Sequence, residues 1–336
     1  MSDRIHGPPH PAVEVAGEEW EAAYRAVAFM YEHGWSDRLP LVPATPRRVA
    51  ELLATTHRPP DQDIGRLDQL KSPVTVEVAA VHAVMAGCRP EHFPVVLAAW
   101  DALMGERSDV GGGWQSSSGP ARMIVVNGPV RHRLGFTGPA QGLRPSTTVT
   151  RAIGLTVRNA LGVVPHGLDR PAPGVLPGRW SMCVAENEED SPWPPLSADG
   201  GVPAGTDAVS AILVDTSTFA GGSDSGPDTA AGPLMAELAR AIARIGGWTS
   251  RHAGAAVLLC PGHARLLARA GMSKDDVRAL LTARCAPASS PLPRRGDPGH
   301  LPIVVAGAAD AGISMVARVF SGWSGTPVPV ERNRDT

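Results

Sequence analysis

The chain has 336 residues, 43% of them apolar, with 31 basic and 33 acidic side chains giving a formal charge of −2. That is enough apolar material for one large or two ordinary domains, and the balanced charge provides no footprint for nucleic acid or an anionic membrane. The expected partner is a small-molecule substrate, with a homodimer or a redox-protein partner as further associations. No run approaches the roughly 18 apolar residues that span a bilayer, and the N-terminus lacks a basic-then-apolar signal pattern, so a soluble cytoplasmic protein is expected. The cysteines Cys88, Cys183, Cys260 and Cys285 lie far apart without CxxC or Cys/His zinc spacing. Reduced thiols are expected, with neither a disulfide scaffold nor a metal centre.

After a Pro/His-rich start expected to be flexible, Glu18 to His33 places Trp20, Ala23, Tyr24, Val27 and Met30 on one side of an amphipathic helix that Gly34 ends. An extended Leu-Pro-Leu-Val-Pro run follows, then a short helix with Thr45 as N-cap and Pro46 at its first position. Residues 57–72 form a polar loop with Pro59-Pro60.

Thr75 to Trp100 is the centre of the chain. Val76, Ala79, Ala80, Ala83 and Val84 make an apolar helical stripe, Gly87 stops it, and Arg89-Pro90-Glu91 opens a second helix. Cys88 is expected just before that helix N-terminus, beside Arg89 and within reach of His92. The dipole and the cation would both lower its pKa and make it a reactive thiolate. The structural alternative is a buried thiol packed between helices.

The second helix runs to about Gly105, and the Gly/Ser-rich segment 106–119, with Gly111-Gly112-Gly113, is expected to be mobile. Ala121 to Asn127 is an apolar strand closed by Gly128-Pro129. Ser146, Thr147 and Thr148 then open a helix to about Gly162, as an anion site or as ordinary caps. Trp180 to Asn187 is strand-like and delivers Glu186, Asn187, Glu188, Glu189 and Asp190 into a loop closed by Ser191-Pro192-Trp193. Such carboxylates serve as hard-cation ligands or as a general base, or they form a solvated charged face.

Residues 197–207 are Gly/Pro-rich and mark a domain seam. A strand from Ala208 to Asp215 and a Gly/Ser loop from Thr216 to Pro227 follow. A helix from Thr229 to Ile245 and a strand from Ala255 to Cys260 come next, and a helix can start at Pro261-Gly262-His263. Ser273 caps the helix after it with Asp276 in a capping box. Residues 286–300 are a linker, Leu301 to Ala306 a last strand, and the tail after Trp323 irregular.

The strand-turn-helix pattern at IVVNGP (124–129), VLLCPGHA (257–264) and IVVAGAADAG (303–312) predicts an α/β fold. The sheet is mostly parallel or mixed, with helices on both faces, in two related halves plus an N-terminal helical segment. The divisions are a helical brace over 1–72, a first half over 73–196 and a second over 208–330. The three turns and the acidic loop are expected on one sheet edge. GxGxxG is absent, so no dinucleotide cofactor is expected, and no GxSxG elbow supports a serine nucleophile.

Leu39–Val49, Thr75–Ala99, Ile124–Pro129, Ala185–Leu196 and Pro261–Leu281 together resemble an uncharacterised bacterial family with motifs AVMAGCxPE, IVVNGP, AENEExSPW and GxSKxDVR. Its members often look like partners of proteins bearing a selenocysteine-Gly-Ser-Cys motif, which implies thiol or selenol redox chemistry nearby. The resemblance places weight on Cys88, Arg89, Glu91, Asn127, Glu186, Asn187, Glu188, Trp193 and His263. It departs at RPSTTVTRAIG (144–154), where the family looks like NRANATIGRA.

The leading expectation is a cofactor-independent enzyme acting on a small metabolite, in biosynthetic lyase, transferase or cyclisation chemistry next to sulfur, nitrogen or an acyl carbon. Cys88 serves as nucleophile or as acid/base, His92 or His263 as proton carrier, and Glu186 or Glu188 orients or deprotonates the substrate. Arg89, Asn127, Asn187, Glu188, Trp193, Ser146 and Thr147 bind the substrate. Two alternatives stand beside it: a non-catalytic partner subunit of a redox protein, and a metal-dependent enzyme using the 186–190 carboxylates.

Overall fold

Ala121–Asn127 is buried at every position, as a strand flanked and covered on both faces must be. It lies in a computed structural model that describes residues 3–7, 10–15, 17–65, 73–106, 121–136, 146–161, 181–221, 231–246, 254–285, 301–308, 311–320, 323 and 325–331. In chain order the strands are β1 (Asp3–Gly7), β2 (His10–Val15), β3 (Asp63–Gly65), β4 (Val74–Thr75), β5 (Ala121–Asn127), β6 (Met182–Ala185), β7 (Ala208–Ala220), β8 (Gly254–Leu259), β9 (Ile303–Val305), β10 (Ser314–Val319) and β11 (Val328–Pro329). The helices are α1 (Gly17–Glu32), α2 (Pro46–Leu53), α3 (Val76–Ala86), α4 (Phe93–Gly105), α5 (Val130–Arg133), α6 (Ser146–Asn159), α7 (Leu196–Asp199), α8 (Ala231–Arg244), α9 (Pro261–Arg269) and α10 (Lys274–Cys285).

The main sheet is mixed and curled, an α/β arrangement with helices packed around it. Its order is β6-β5-β7-β10-β8-β9, with β11 also on β7. β5 pairs parallel with β6 and antiparallel with β7. β8 repeats this, parallel with β9 and antiparallel with β10, and β7 and β10 join the two sets antiparallel. Each set therefore has one topology, strand, helices, parallel strand, returning strand. The curl brings the outer strands together at their carboxyl ends, where the Asn187 N–H donates to the Val305 carbonyl at 2.7 Å.

Apolar packing follows the two sets. Helices α3, α4 and α6 cover β5 and the start of β7, with Ile124, Val126, Leu213, Phe93, Trp100 and Ile153 in one cluster. Helices α8, α9 and α10 cover β8, β9 and the end of β7, with Leu238, Val257, Leu267 and Ile303 in another. A third cluster, holding Met123, Ile212, Leu258, Val319, Leu196 and Trp323, fills the other face of the sheet. α4 is buried almost all round, and each large side chain buried there contributes about 1.5–3 kcal/mol relative to exposure.

Local signals set several element ends. Thr45 and Thr75 accept from the N–H groups of Arg48 and Val78 as N-caps, and Ser273 and Asp276 exchange bonds as a capping box. Several expectations differ: the pattern at 303–312 leads into the strand β10 and not into a helix, and the tail carries β11, which pairs with β7. The N-terminal start is an antiparallel β1–β2 pair. In α1 Met30 is buried but Trp20 and Tyr24 are exposed, because only its C-terminal part meets the core. β7 runs past Asp215 to Ala220 through Thr216-Ser217-Thr218, since pairing with β10 satisfies its backbone although its side chains face outward. The glycine loop at 111–113 lies outside the described residues. Among the described residues no helix is long and apolar enough to cross a membrane.

Candidate functional site

The acidic loop begins where β5 and β6 end side by side. Glu186 is fully buried, and its Oε2 accepts from Asn127 Nδ2 at 2.6 Å and from the Leu196 N–H at 2.7 Å, while Oε1 accepts from the Val305 N–H at 3.4 Å. Glu188 Oε1 takes Asn127 Nδ2 at 3.1 Å and the Gly128 N–H at 2.8 Å. Asn187 Nδ2 donates to Asp190 at 2.9 Å and to the Gly307 carbonyl at 3.2 Å, and Arg265 of α9 meets Asp190 at 3.4 Å. The turns after β5 and β9, the acidic loop and α9 are thus tied into one junction. Burial raises the Glu186 pKa, with Lys274 and the three donors pulling the other way.

Arg131, buried beneath the loop, donates to the carbonyls of Gly128 and Glu186 and makes a fork with Glu189 at 2.9 and 3.1 Å. It was not singled out in the sequence, although a basic residue four positions after the strand was a usable sign. It holds the Glu189 carboxyl down at about 2. Trp193 Nε1 donates to the Met272 carbonyl at 3.2 Å and Lys274 Nζ to that of Pro194 at 3.1 Å, fastening the rest of the segment across α9 and α10. These groups brace two strand sets. Among the described residues no group of three His, Cys, Asp or Glu side chains is arranged to hold a metal ion.

Cys88 lies elsewhere, and its expected environment is corrected. Gly87, at φ +87°, ends α3, and the Cys88 N–H returns to the Ala83 carbonyl at 2.9 Å, so the thiol follows a helix C-terminus. Arg89, rather than Cys88, precedes the 3-10 turn Pro90–His92. Burial pushes the Cys88 thiol up to about 12, against a hydrogen bond with Thr148, which is the reverse of an activated thiolate. The Arg89 side chain is exposed and pairs with Glu91 at 3.3 Å. His92 is buried, takes the Arg89 N–H at 3.4 Å, lies 6.0 Å from the Phe136 ring and has a pKa lowered by burial. Thr147 is exposed and Ser146 begins α6.

The pattern expected at Cys88 occurs instead at the end of β8. Cys260 is the N-cap residue of α9, Pro261 holds the first position, and His263 stands in the first turn. Cys260 and His263 are 2% and 5% exposed. Ser314, at the start of β10 and equally buried, joins them: its Oγ accepts the Cys260 N–H at 3.1 Å, lies 2.8 Å from His263 Nδ1 and is 3.9 Å from Cys260 Sγ. One hydroxyl proton can therefore serve either the imidazole or the sulfur. His263 Nε2 is buried and finds no hydrogen-bond partner among the described residues. Burial lowers the His263 pKa, with Glu237 opposing, so the ring favours its neutral form.

Of the expected residues, Asn127, Glu186, Asn187 and Glu188 come together at the junction, and Trp193 anchors its far end. Cys88 and His92 sit under α6 and α4, and His263 stands apart beside β10. From the sequence Cys260 is expected only as the end of a buried apolar strand and, like Cys183, as a slow-reacting thiol, and Ser314 is not singled out. Cys-Pro-Gly-His after an apolar run was a legible sign for the first, and Ser314, 54 residues later, had none. Comparisons with family models, curated proteins and solved structures gave no match to this chain.

Proposed function

We propose that the protein is a cofactor-independent, cysteine-dependent enzyme acting on a small molecule, with Cys260 in the nucleophile role first assigned to Cys88. The observation that carries this reading is His263: a buried imidazole held through Nδ1 by Ser314, with its second nitrogen unpartnered among the described residues, beside a thiol at a helix N-terminus. Buried polar atoms are nearly always paired, and a bare one next to a nucleophile marks where a reacting group belongs.

The chemistry follows from the order of the atoms. The Cys260 sulfur attacks an electrophilic carbon, and its proton passes by way of Ser314 Oγ to His263 Nδ1. The Nε2 proton then moves to the substrate heteroatom that receives the displaced electron pair. One S–C bond forms, one carbon–heteroatom π bond opens, and no oxidant or reductant is consumed. Such an adduct serves lyase and transferase chemistry alike. The carboxylates from 186 to 190 are taken up by Asn127, Arg131, His132 and Arg265, which argues for bracing over metal binding.

Iodoacetamide labelling of native protein against pH, read by peptide mass spectrometry, tests the reading. Cys260 should label at least about tenfold faster than Cys88 and Cys183, both of which burial pushes up to about 12. His263→Gln should erase the advantage. Equal rates for Cys260 and Cys183 at every pH would falsify the proposal.

A further inference from the structure

The edge of the His263 ring packs on a glycine. Gly221, the residue after β7, has φ +91°, and a Cβ added there would lie 2.7 Å from His263 Cε1 and 2.7 Å from the Gly312 carbonyl oxygen. Only glycine takes that conformation without strain and leaves room for both neighbours. Gly312 stands two residues before Ser314, and Ser314 pairs with Ala220, the residue before Gly221. This corner of β7 therefore meets both partners of the contact between Ser314 Oγ and His263 Nδ1.

A carboxylate holds the corner from the other side. The Gly221 N–H lies just beyond the last β7–β10 pair, and it donates to Glu237 Oε1 of α8 at 2.8 Å. Glu237 is half-buried, and Leu234 and Leu238 on the same helix are buried in the second apolar cluster, so the acceptor comes from an anchored element. Water would satisfy that N–H if pairing were all it needed. A charged acceptor makes a shorter and roughly twofold stronger bond, which fixes the residue that carries the donor. Without it the Gly221 turn is free to move off the ring, and the ring to swing Nδ1 away from Ser314.

We propose that Glu237 is a positioning residue for the Cys260–Ser314–His263 group: it pins the Gly221 turn against the imidazole edge and so keeps Nδ1 on the Ser314 hydroxyl. It acts through the backbone of Gly221 and not by a bond to the ring. This rests on Cys260 being the nucleophile, and it adds what holds the proton acceptor in line.

The test compares Glu237→Ala, Glu237→Gln and, at an exposed position of the same helix, Arg240→Gly, each in the full chain carrying isotope-labelled histidine. Two quantities are read. One is the protonation pattern of the His263 ring nitrogens by long-range proton–nitrogen correlation NMR, assigned by its absence in His263→Gln. The other is the iodoacetamide rate of Cys260 divided by that of the same peptide in the urea-unfolded chain. The parent should show one tautomer, with the proton on Nε2. Glu237→Ala should mix the two tautomers and slow Cys260 by about tenfold. Glu237→Gln still presents an oxygen to the Gly221 N–H and should keep the single tautomer and a rate within about threefold of the parent. Arg240→Gly weakens α8 through helix propensity alone and should change neither. A mixed ring in the parent, a parental ring and rate in Glu237→Ala, equal losses in the Gln and Ala variants, or the same losses in Arg240→Gly would each overturn the positioning role. If parental Cys260 labels no faster than Cys183, the nucleophile falls, and the ring spectrum alone decides whether Glu237 holds the imidazole.

Discussion

Cys88 and Cys260 each follow an apolar run and precede a proline within two residues, yet they have opposite surroundings. Cys88 comes after a left-handed glycine and lies among α3, α4 and α6, while Cys260 begins a helix beside a hydroxyl and an imidazole. Glu186 is the other decisive residue, with three donors and no water-facing atom. Glu186→Gln turns an amide NH2 toward one of those N–H groups and should cost about 1–3 kcal/mol in urea unfolding at pH 7. Burial raises the Glu186 pKa in the folded state, so its contribution is fully present below its ordinary 4.5 and is lost as pH rises through the folded value. The Gln variant should accordingly have a flatter stability curve on the alkaline side of 4.5 than the parent. Parallel curves would remove Glu186 as the source of that slope.

Among the elements, α3 has the clearest start and stop. Thr75 caps one end and Gly87 the other, and a Cβ at Gly87 meets nothing nearer than Val42 Cγ2 at 3.8 Å. Gly87→Ala should therefore show backbone strain alone, about 1–2 kcal/mol, with an unchanged urea m-value. A larger loss would mean that the Cys88 turn itself is rearranged. α9 shows how a neighbouring strand completes a helix start: its first turn meets β10, where Ser314 Oγ lies 2.8 Å from His263 Nδ1. β7 makes the opposite point, because Thr216, Ser217 and Thr218 look like a loop until β10 pairs with them.

For the whole molecule, the two strand sets are joined on one side by β7 and β10 and on the other by the acidic junction. Acid should loosen that second seam. Arg131 holds Glu189 at about 2, below its ordinary 4.5, so the pair contributes stability above pH 4.5 that is lost as pH falls toward 2. Glu189 is half exposed, so solvent screening keeps the effect at pH 7 below about 1 kcal/mol. Denaturation series at pH 5 and pH 3 should show Glu189→Gln losing less stability between them than the parent. An equal loss in both would move the acid sensitivity to another carboxylate.

Much of the architecture was written locally. The alternation of short β-branched runs with capped helices determined an α/β fold, and the turns after Asn127, Cys260 and Ala306 marked where polar groups gather. Period, cap and breaker depend on residues within about four positions of one another, which is the range a sequence pattern covers. The AENEED loop was also legible as a concentration of charge. That its carboxylates brace strands, through an arginine from α5, depends on side chains 55 to 61 residues apart. The choice between two cysteines was likewise tertiary. Ser314 reaches Cys260 and His263 only because β10 runs antiparallel beside β8, and Gly221 packs against the same imidazole only because β7 extends past Asp215. Strand pairing is set by burial of whole faces, so the composition of this site was decided by the folded sheet and not by any one segment.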